Sequence, residues 1–281
     1  MKWSNDVAQS RRNLTYLLVV PLTVLFLIPL VWLVLTSFKK ETEYLAYPIT
    51  ILPVTWQWVN YQLAVTMTAF SRYLFNTVYL AIFFTGLSTL SSAFVGFGFA
   101  RHNVPGKNVL FTLVLAMIIL PNLVTVVPQF IIFSRLKITG TYWPWVLWGL
   151  TASPWHIFLF RQYFSTFPRD LEDAAEVDGC SRFGIFWRIF LPNAWPALII
   201  SAIFNFQWVW GDFVNPLIFL SDEATTLAVK LSGSTYVDPH YNRLVTVTMA
   251  AVVLYILPIA VGFFAAQKRI IEGVVTTGIK G

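Results

Sequence analysis

The sequence is poor in the residues that carry most of the chemistry of soluble proteins. Charged residues make up only 11% of its 281 positions, against about 25% in an ordinary soluble domain. It has one cysteine, Cys180, which excludes an internal disulfide and a cysteine-rich metal site. Its 3 histidines are far apart and fit no metal-ligand spacing. We therefore expect this chain to bind no metal ion and no cofactor of its own.

Catalytic motifs are missing as well. The sequence has no glycine-rich phosphate loop ending in Lys-Ser or Lys-Thr. No Ser/His/Asp or Cys/His set stands out, and no pair of carboxylates suggests a cleft for acid–base chemistry. We therefore expect that the chain is not an enzyme, and that any ATP hydrolysis linked to it takes place in a separate chain.

The sequence is instead rich in apolar and aromatic residues. Hydrophobic residues make up 57% of the chain and aromatic residues 17%, and the mean hydropathy is +0.67. A membrane helix needs about 20 mostly apolar residues, and six runs meet that test. We predict an all-α polytopic membrane protein, a single domain over residues 1–281. Its predicted spans are residues 14–37, 73–100, 109–133, 142–164, 194–220 and 244–266.

The basic residues predict the topology. The formal net charge is +6, which in a soluble protein would suggest nucleic acid, but here lysines and arginines flank the apolar runs. Six spans place both termini on one side. The positive-inside rule favours cytoplasmic termini, although Arg135 and Lys137 lie on the other side. We expect a multi-pass protein of the cytoplasmic (inner) membrane of a bacterium or archaeon, which contacts lipid and no nucleic acid.

The longest predicted cytoplasmic loop covers residues 165–192. Its sequence indicates two short helices joined by a bend. Arg169 to Val177 has helical composition with acidic residues in its first turn, where the helix dipole favours anions. Gly179 is expected to end it with a positive φ. Ser181 can cap a second short helix, which Pro192 is expected to end. We call residues 165–192 the elbow.

The elbow resembles the EAA loop of permease subunits in binding-protein-dependent ABC importers. The family's Glu-Ala-Ala triplet corresponds to Asp173-Ala174-Ala175, its glycine to Gly179, and its Leu-Pro pair to Leu191-Pro192. Asp173 replaces the family's glutamate and shortens its reach. The resemblance implies that the elbow transmits movement from an ATPase. The implied coupling residues are Leu171, Glu172, Asp173, Ala174, Ala175, Asp178, Gly179, Phe183 and Pro192.

Two further stretches resemble the sugar branch of this family, in particular a permease of the maltose importer's G type. They are Trp210 to Leu217 and the C-terminal Phe263 to Gly281. The resemblance implies a permease for sugars or oligosaccharides. Its implied partners are a second homologous permease chain, two ATPase subunits that bind ATP and magnesium, and an extracytoplasmic sugar-binding protein. The implied tail contacts to the ATPase are Gln267, Lys268, Glu272, Gly273 and Lys280; the alternative is a frayed end.

Polar residues in the fifth predicted span suggest a substrate path. Asn205, Asp212 and Asn215 fall near one helical face, and Trp208 offers an aromatic surface to a sugar ring. In the alternative interpretation, Asp212 and Asn215 cap a helix broken at Pro216 and contact neighbouring helices.

Other classes remain open at this stage. An ABC importer for a non-sugar solute would share the elbow. An ion-coupled secondary transporter would need ionisable residues at the membrane midplane, and only Asp212 approaches that position. The elbow could also be an amphipathic helix lying on lipid, but such helices carry a basic face and this one is acidic. The sequence does not name the sugar.

Overall fold

The computed structural model describes residues 2–232, 236–240 and 243–278, and these residues are mostly helical. They contain no β-strand beyond an isolated parallel bridge between Gly140 and Leu220. A π-helical turn at Phe186–Phe190 lies between α10 and α11. The α-helices are α1 (Lys2–Ser37), α2 (Glu41–Tyr44), α3 (Val59–Thr66), α4 (Phe70–Arg101), α5 (Lys107–Ile119), α6 (Asn122–Arg135), α7 (Trp143–Leu150), α8 (Pro154–Ser165), α9 (Asp170–Val177), α10 (Arg182–Ile185), α11 (Leu191–Asn193), α12 (Trp195–Trp210), α13 (Val214–Phe219), α14 (Leu227–Ser232) and α15 (Val245–Gly278).

Three of these helices are long and apolar enough to cross a membrane without a break. They contain Thr15–Ser37 in α1, the whole of α4, and Val245–Phe264 in α15. Two bent pairs also pass the test: α5 with α6, which meet at 101°, and Arg182–Asn193 with α12, which meet at 81°. By length and apolarity, the described residues therefore offer 3 spans, or 5 if each bent pair crosses once.

The predicted spans at residues 109–133, 142–164 and 194–220 are each interrupted in the structure. Pro121 is extended, with ψ 129°, and separates α5 from α6. Ser153 is also extended, with ψ 129°, because the proline after it disfavours the helical region. The fifth predicted span breaks between Trp210 and Val214, where α12 ends and α13 begins. Hydropathy continues across all three breaks, so the apolar runs alone did not reveal them.

The backbone separates into two compact units, residues 1–70 with 233–260 and residues 71–232 with 261–281. In the first unit, buried polar groups fix the segment after α1. The Asn60 amide donates to the carbonyls of Ser37 and Lys39 at 2.9 and 2.8 Å. Glu41 is buried, and its side chain ends in a carboxylate that accepts hydrogen bonds. It accepts from the backbone N–H groups of Val245 and Thr246 at 3.0 Å each, and so caps the start of α15.

A buried tyrosine adds to the order of this first unit. The Tyr236 hydroxyl donates to the Ala64 carbonyl at 2.8 Å. Burial raises the pKa of Tyr236 to about 12, so its hydroxyl keeps the proton that it donates. Residues 39–72 thus carry two short helices, α2 and α3, and several buried hydrogen bonds.

In the second unit, one apolar core packs the elbow against α4 and α8. Its buried members are Ala93, Phe97, Phe160, Phe164, Ala175, Ile185, Phe186, Phe190, Ala194 and Ala197. The approach of α4 to α8 is close at Gly96, where an added Cβ would lie 2.6 Å from the Phe160 Cβ. A larger residue at Gly96 would push the two helices apart. The elbow is therefore built onto the unit's core.

Candidate functional site

The bend of the elbow has the hydrogen bonds of a Schellman motif. Gly179 follows α9 with φ +79°, as its place in the sequence predicted. The N–H of Gly179 donates to the Glu176 carbonyl at 3.0 Å, and the N–H of Cys180 to the Ala175 carbonyl at 2.9 Å. Cys180 itself is half-buried. These bonds pair the last carbonyls of α9 and fix the direction of the chain after it.

The second arm of the elbow differs from its prediction. The Ser181 side chain caps α10 by accepting from the N–H of Gly184 at 3.1 Å, as expected. Beyond α10 the chain forms the π-helical turn and then α11, so Pro192 does not end the helix. Proline is tolerated in the first turn of a helical segment, where an N–H has no partner to lose. The sharp bend comes at Ala194 instead, before α12.

Arg101 attaches the elbow to the end of α4. Its guanidinium forms an ion pair with Glu172, and the two side chains are only 7% and 14% exposed. The same group donates to the Phe167 carbonyl at 3.0 Å and lies 5.2 Å from the Phe190 ring centre. Several hydrogen bonds and low exposure make this pair well ordered. From the sequence, basic residues were interpreted only as topology signals, so this role of Arg101 was missed.

The predicted coupling residues divide between the chain's interior and its surface. Ala175 is buried in the chain's own core, so it is not available to a partner as the resemblance implied. Glu172 is occupied by Arg101. Val177, which follows them on α9, is 88% exposed. The other predicted coupling residues are exposed: Leu171, Asp173, Ala174, Asp178, Gly179, Phe183 and Pro192.

The predicted tail contacts lie at the C-terminal end of α15 and after it. The backbone of α15 carries Gln267, Lys268, Glu272 and Gly273 in helical conformation, and the Gln267 side chain is exposed. Lys280 lies outside the described residues. The contact between this tail and an ATPase therefore stays a prediction.

The predicted substrate-path residues have different environments. Asn205 is buried, accepts from the Ser88 hydroxyl at 3.1 Å and donates to Thr89 at 3.1 Å, so it links α12 to α4. Asp212 accepts from the Asn215 backbone and side-chain amides at 3.1 and 2.8 Å. These bonds fit the capping interpretation of Asp212 that the sequence left open.

A cavity of about 660 Å³ in the second unit brings together three of the four predicted substrate-path residues. Asn205, Trp208 and Asn215 line it, whereas Asp212 does not. The remaining lining residues are Phe84, Met117, Leu120, Asn122, Thr125, Val126, Gln129, Trp148, Thr151, Ala152, Ser153, Pro154, Trp155, His156 and Phe204.

Several cavity residues were missed from the sequence. Asn122, Thr125 and Gln129 lie on α6 at spacings of three and four, which place them near one helical face. That polar stripe in an apolar run was the available signal. His156 lies in the first turn of α8, and only the structure shows that it meets the cavity. Among the described residues, no group of three or more His, Cys, Asp or Glu could hold a metal ion.

Long apolar helices and broken helix pairs define the chain as a helical membrane protein. Over residues 88–275 it matches the family described as the binding-protein-dependent transport system inner membrane component. The chain belongs to this family, whose description is that of a transport component. The resemblance found at the elbow is thereby confirmed at the level of the family.

The relatives of this chain include sugar permeases. It is 34% identical over 257 residues to an arabinooligosaccharides transport system permease protein, AraQ, of Halalkalibacterium halodurans, covering 90% of this chain and 91% of that one. It is also 34% identical to the protein of the same name from Bacillus subtilis, with 92% of each chain covered. A sulfoquinovosyl glycerol transport system permease protein, SmoH, of Agrobacterium fabrum is 29% identical over 259 residues, covering 91% of this chain and 89% of that one.

A solved structure shares the fold. It is the crystal structure of a bacterial ABC transporter involved in the import of the acidic polysaccharide alginate. One of its chains superposes with a TM-score of 0.79 at 20% sequence identity. The match covers 92% of this chain and 97% of that one. The fold of this chain is therefore one that has been seen by experiment.

Proposed function

We propose that this chain is the permease subunit of an ATP-driven importer for sugars or oligosaccharides. It forms part of the path across the membrane and takes its energy from a separate ATPase. Membership of the family supports a transport component that works with a binding protein. The names of the relatives, which transport arabinooligosaccharides and sulfoquinovosyl glycerol, support sugar as the substrate class.

The surface of the elbow is the observation that carries the coupling role. Leu171 and Val177 are 44% and 88% exposed on α9, and Phe183 on α10 is 60% exposed. Exposed acidic residues, Asp173 and Asp178 among them, lie beside these apolar groups. Anionic lipid would repel that acidic face, whereas a cleft in a protein partner can take both kinds of group. The elbow therefore docks into the ATPase, with Gly179 setting its bend.

The proposed assembly has two permease chains, this one and a homologous partner. Two ATPase subunits bind ATP and magnesium on the cytoplasmic side, and a sugar-binding protein delivers substrate from outside. In this proposal the chain crosses the membrane six times with both termini in the cytoplasm. The α5–α6 pair, the α7–α8 pair and α12 with α13 supply the three spans that are not single helices. The C-terminal tail beyond Gln267 reaches the ATPase.

Reconstitution tests this function. The chain is co-expressed with a candidate partner permease and a candidate ATPase, purified, and placed in liposomes with a candidate binding protein and a labelled sugar. We expect uptake that requires both ATP and the binding protein. Uptake driven by an ion gradient without ATP would instead establish a secondary transporter. ATP-dependent uptake of only a non-sugar solute would overturn the substrate class.

A further inference from the structure

The inference concerns the 660 Å³ cavity and rests on the proposed function. The cavity forms where the helices of the second unit are interrupted. Asn122 and Gln129 come from α6, which follows the break at Pro121, and His156 comes from the start of α8. Ligand cavities in proteins commonly measure about 300–1,000 Å³, so this one has a suitable size for a small molecule.

His156 is the feature of this cavity that points to a ligand. Its side chain is buried, with 7% exposure, and it lines the cavity. Neither ring nitrogen has a hydrogen-bond partner among the described residues. Instead, aromatic packing orients the ring: the Trp155 ring centre lies 4.9 Å away in an edge-to-face arrangement. A buried donor or acceptor without a partner is costly and rare in native proteins.

Asn205, unlike His156, has a structural role, because its side chain is hydrogen-bonded to a neighbouring helix. It lines the same cavity, yet its side chain is bonded to Ser88 and Thr89 of the neighbouring helix α4. Its hydrogen-bonding capacity is used to join helices. His156 has no such use among the described residues, so its nitrogens are the groups left to meet an occupant of the cavity.

The chemistry of the lining identifies the class of occupant. Its polar side chains are neutral, chiefly the amides Asn122, Gln129 and Asn215 and the hydroxyl of Thr125. Trp148, Trp155 and Trp208 add aromatic surface. No lysine, arginine, aspartate or glutamate is among the lining residues that the structure describes. Aromatic faces suit the C–H surfaces of a sugar ring, and amides and hydroxyls suit its hydroxyl groups.

An anionic sugar does not suit this lining. A carboxylate that leaves water needs a cationic or multiple hydrogen-bonding partner, and none of the described residues that line the cavity is a lysine or arginine. We propose that this cavity is a binding site for a neutral oligosaccharide, in which His156 hydrogen-bonds a sugar hydroxyl. The site thus selects against acidic sugars. Fragments of alginate, the acidic polysaccharide that the transporter with the similar fold helps to import, are an example.

Equilibrium binding to the purified complex tests the substrate class. The permease–ATPase complex is placed in lipid nanodiscs without its binding protein, so that only the membrane part selects. The probes are labelled neutral trisaccharides of arabinose, glucose or xylose, and an acidic trisaccharide of mannuronate. We expect binding of at least one neutral probe and at least tenfold weaker binding of the acidic one. Equal or stronger binding of the acidic probe would refute the proposal.

Two substitutions test the role of His156. We expect His156→Phe, which removes the hydrogen-bonding nitrogens and keeps a ring, to raise the Kd for the neutral trisaccharide about five- to tenfold. The assembled complex should unfold at the same or a higher temperature, because an unpaired polar group has been removed. Gln129→Leu, on another helix, should also raise the Kd. The matched control is His240→Gln in an exposed segment, which should change neither property.

The outcomes separate this inference from the proposed function. If ATP-dependent sugar uptake is present but His156→Phe leaves the Kd unchanged, the site is wrong and the function stands. The same conclusion follows if no neutral trisaccharide binds the complex while uptake is present. Loss of thermal stability together with binding in His156→Phe would assign His156 a structural role. Absence of any sugar uptake by the wild-type importer would refute the function itself.

Discussion

At the scale of single residues, Gly179 shows how one backbone angle sets the elbow. Its φ of +79° lies in the left-handed region, which a residue with a Cβ enters at a cost of about 1–2 kcal/mol. An added Cβ at Gly179 would meet no atom of the described residues within 4 Å. Substitution is therefore limited inside the chain by backbone strain, and any further restriction must come from a docked partner.

Backbone strain at position 179 can be tested without a steric clash inside the chain, and the first prediction compares two substitutions there. Gly179→Asn should keep most of the transport, because asparagine enters the left-handed region more readily than other residues. Gly179→Val should abolish coupling, because a β-branched residue at positive φ is strained. We would measure sugar uptake and co-purification of the ATPase in both variants. Normal uptake by Gly179→Val would show that the bend does not determine coupling.

Residue chemistry in the elbow was largely predictable from the sequence. The positive φ of Gly179 and the cap at Ser181 depend on neighbours within a few positions, so local rules identified them. Arg101 and His156 were missed because their roles depend on contacts with distant segments. Arg101 meets Glu172, and His156 meets a cavity lined by several helices. No spacing rule in one sequence reveals such contacts.

At the scale of helices, the ion pair of Arg101 with Glu172 fixes α9 to the end of α4. Arg101→Gln leaves a carboxylate of low exposure without its partner, which costs about 3–5 kcal/mol when an ion pair is fully buried. We expect α9 to become loosely held, so that ATP hydrolysis continues while sugar uptake falls. The second prediction is therefore a lower number of sugars imported per ATP hydrolysed.

A matched ion pair on the surface serves as control for that experiment. Arg72 and Glu223 lie 3.4 Å apart in the same unit, with side chains 53% and 81% exposed. Solvent screens such a pair, so Arg72→Gln should cost less than about 1 kcal/mol and leave the coupling ratio unchanged. If Arg101→Gln also preserves the ratio, the link between α4 and α9 plays no part in coupling.

The third prediction concerns the close packing of α4 against α8. Gly96→Ala would place a Cβ 2.6 Å from the Phe160 Cβ and 3.1 Å from two backbone atoms of α8. The helices must separate, which typically costs about 1–3 kcal/mol. Gly98→Ala on the same helix would meet no atom of the described residues within 4 Å and should be neutral or slightly stabilising. Thermal unfolding of the purified complex compares the two, and equal stabilities would contradict this packing.

The existence of most helices was predictable, whereas their breaks were not. Apolar runs located the regions of α1, α4 and α15 because each is one uninterrupted helix over the apolar part. The other three runs contain Pro121, Pro154 and Pro216. Proline is common in membrane helices as a mild kink, so its presence did not distinguish a kink from the 101° bend at α5 and α6. That distinction depends on tertiary packing.

At the scale of the whole molecule, the number of spans determines where the two termini lie. Three or five crossings, the numbers that the described helices support by length and apolarity, would place the termini on opposite sides of the membrane. Six crossings, as proposed, place both in the cytoplasm. Whether there are five or six crossings depends on whether α7 and α8 together form one membrane span. Neither helix is long enough to cross alone, since they contain 8 and 12 residues.

The fourth prediction tests this topology with single cysteines. In a chain whose Cys180 is replaced by serine, a membrane-impermeant thiol reagent applied to intact cells should label a cysteine at Thr55. It should not reach one at Asp6 or Gly278. Permeabilised cells provide the control, in which the terminal probes should react. Labelling of exactly one terminus in intact cells would establish an odd number of spans and exclude the six-helix proposal.

The position of Cys180 has a further consequence for chemical modification. The only thiol of the chain directly follows the glycine at the bend of the elbow, and it is half-buried there. In inside-out vesicles, a thiol-specific alkylating reagent would therefore modify this permease at Cys180, beside the proposed docking surface. The alkylation rate of Cys180 should therefore fall when the ATPase is bound. It would report ATPase attachment in the wild-type chain, without an engineered label.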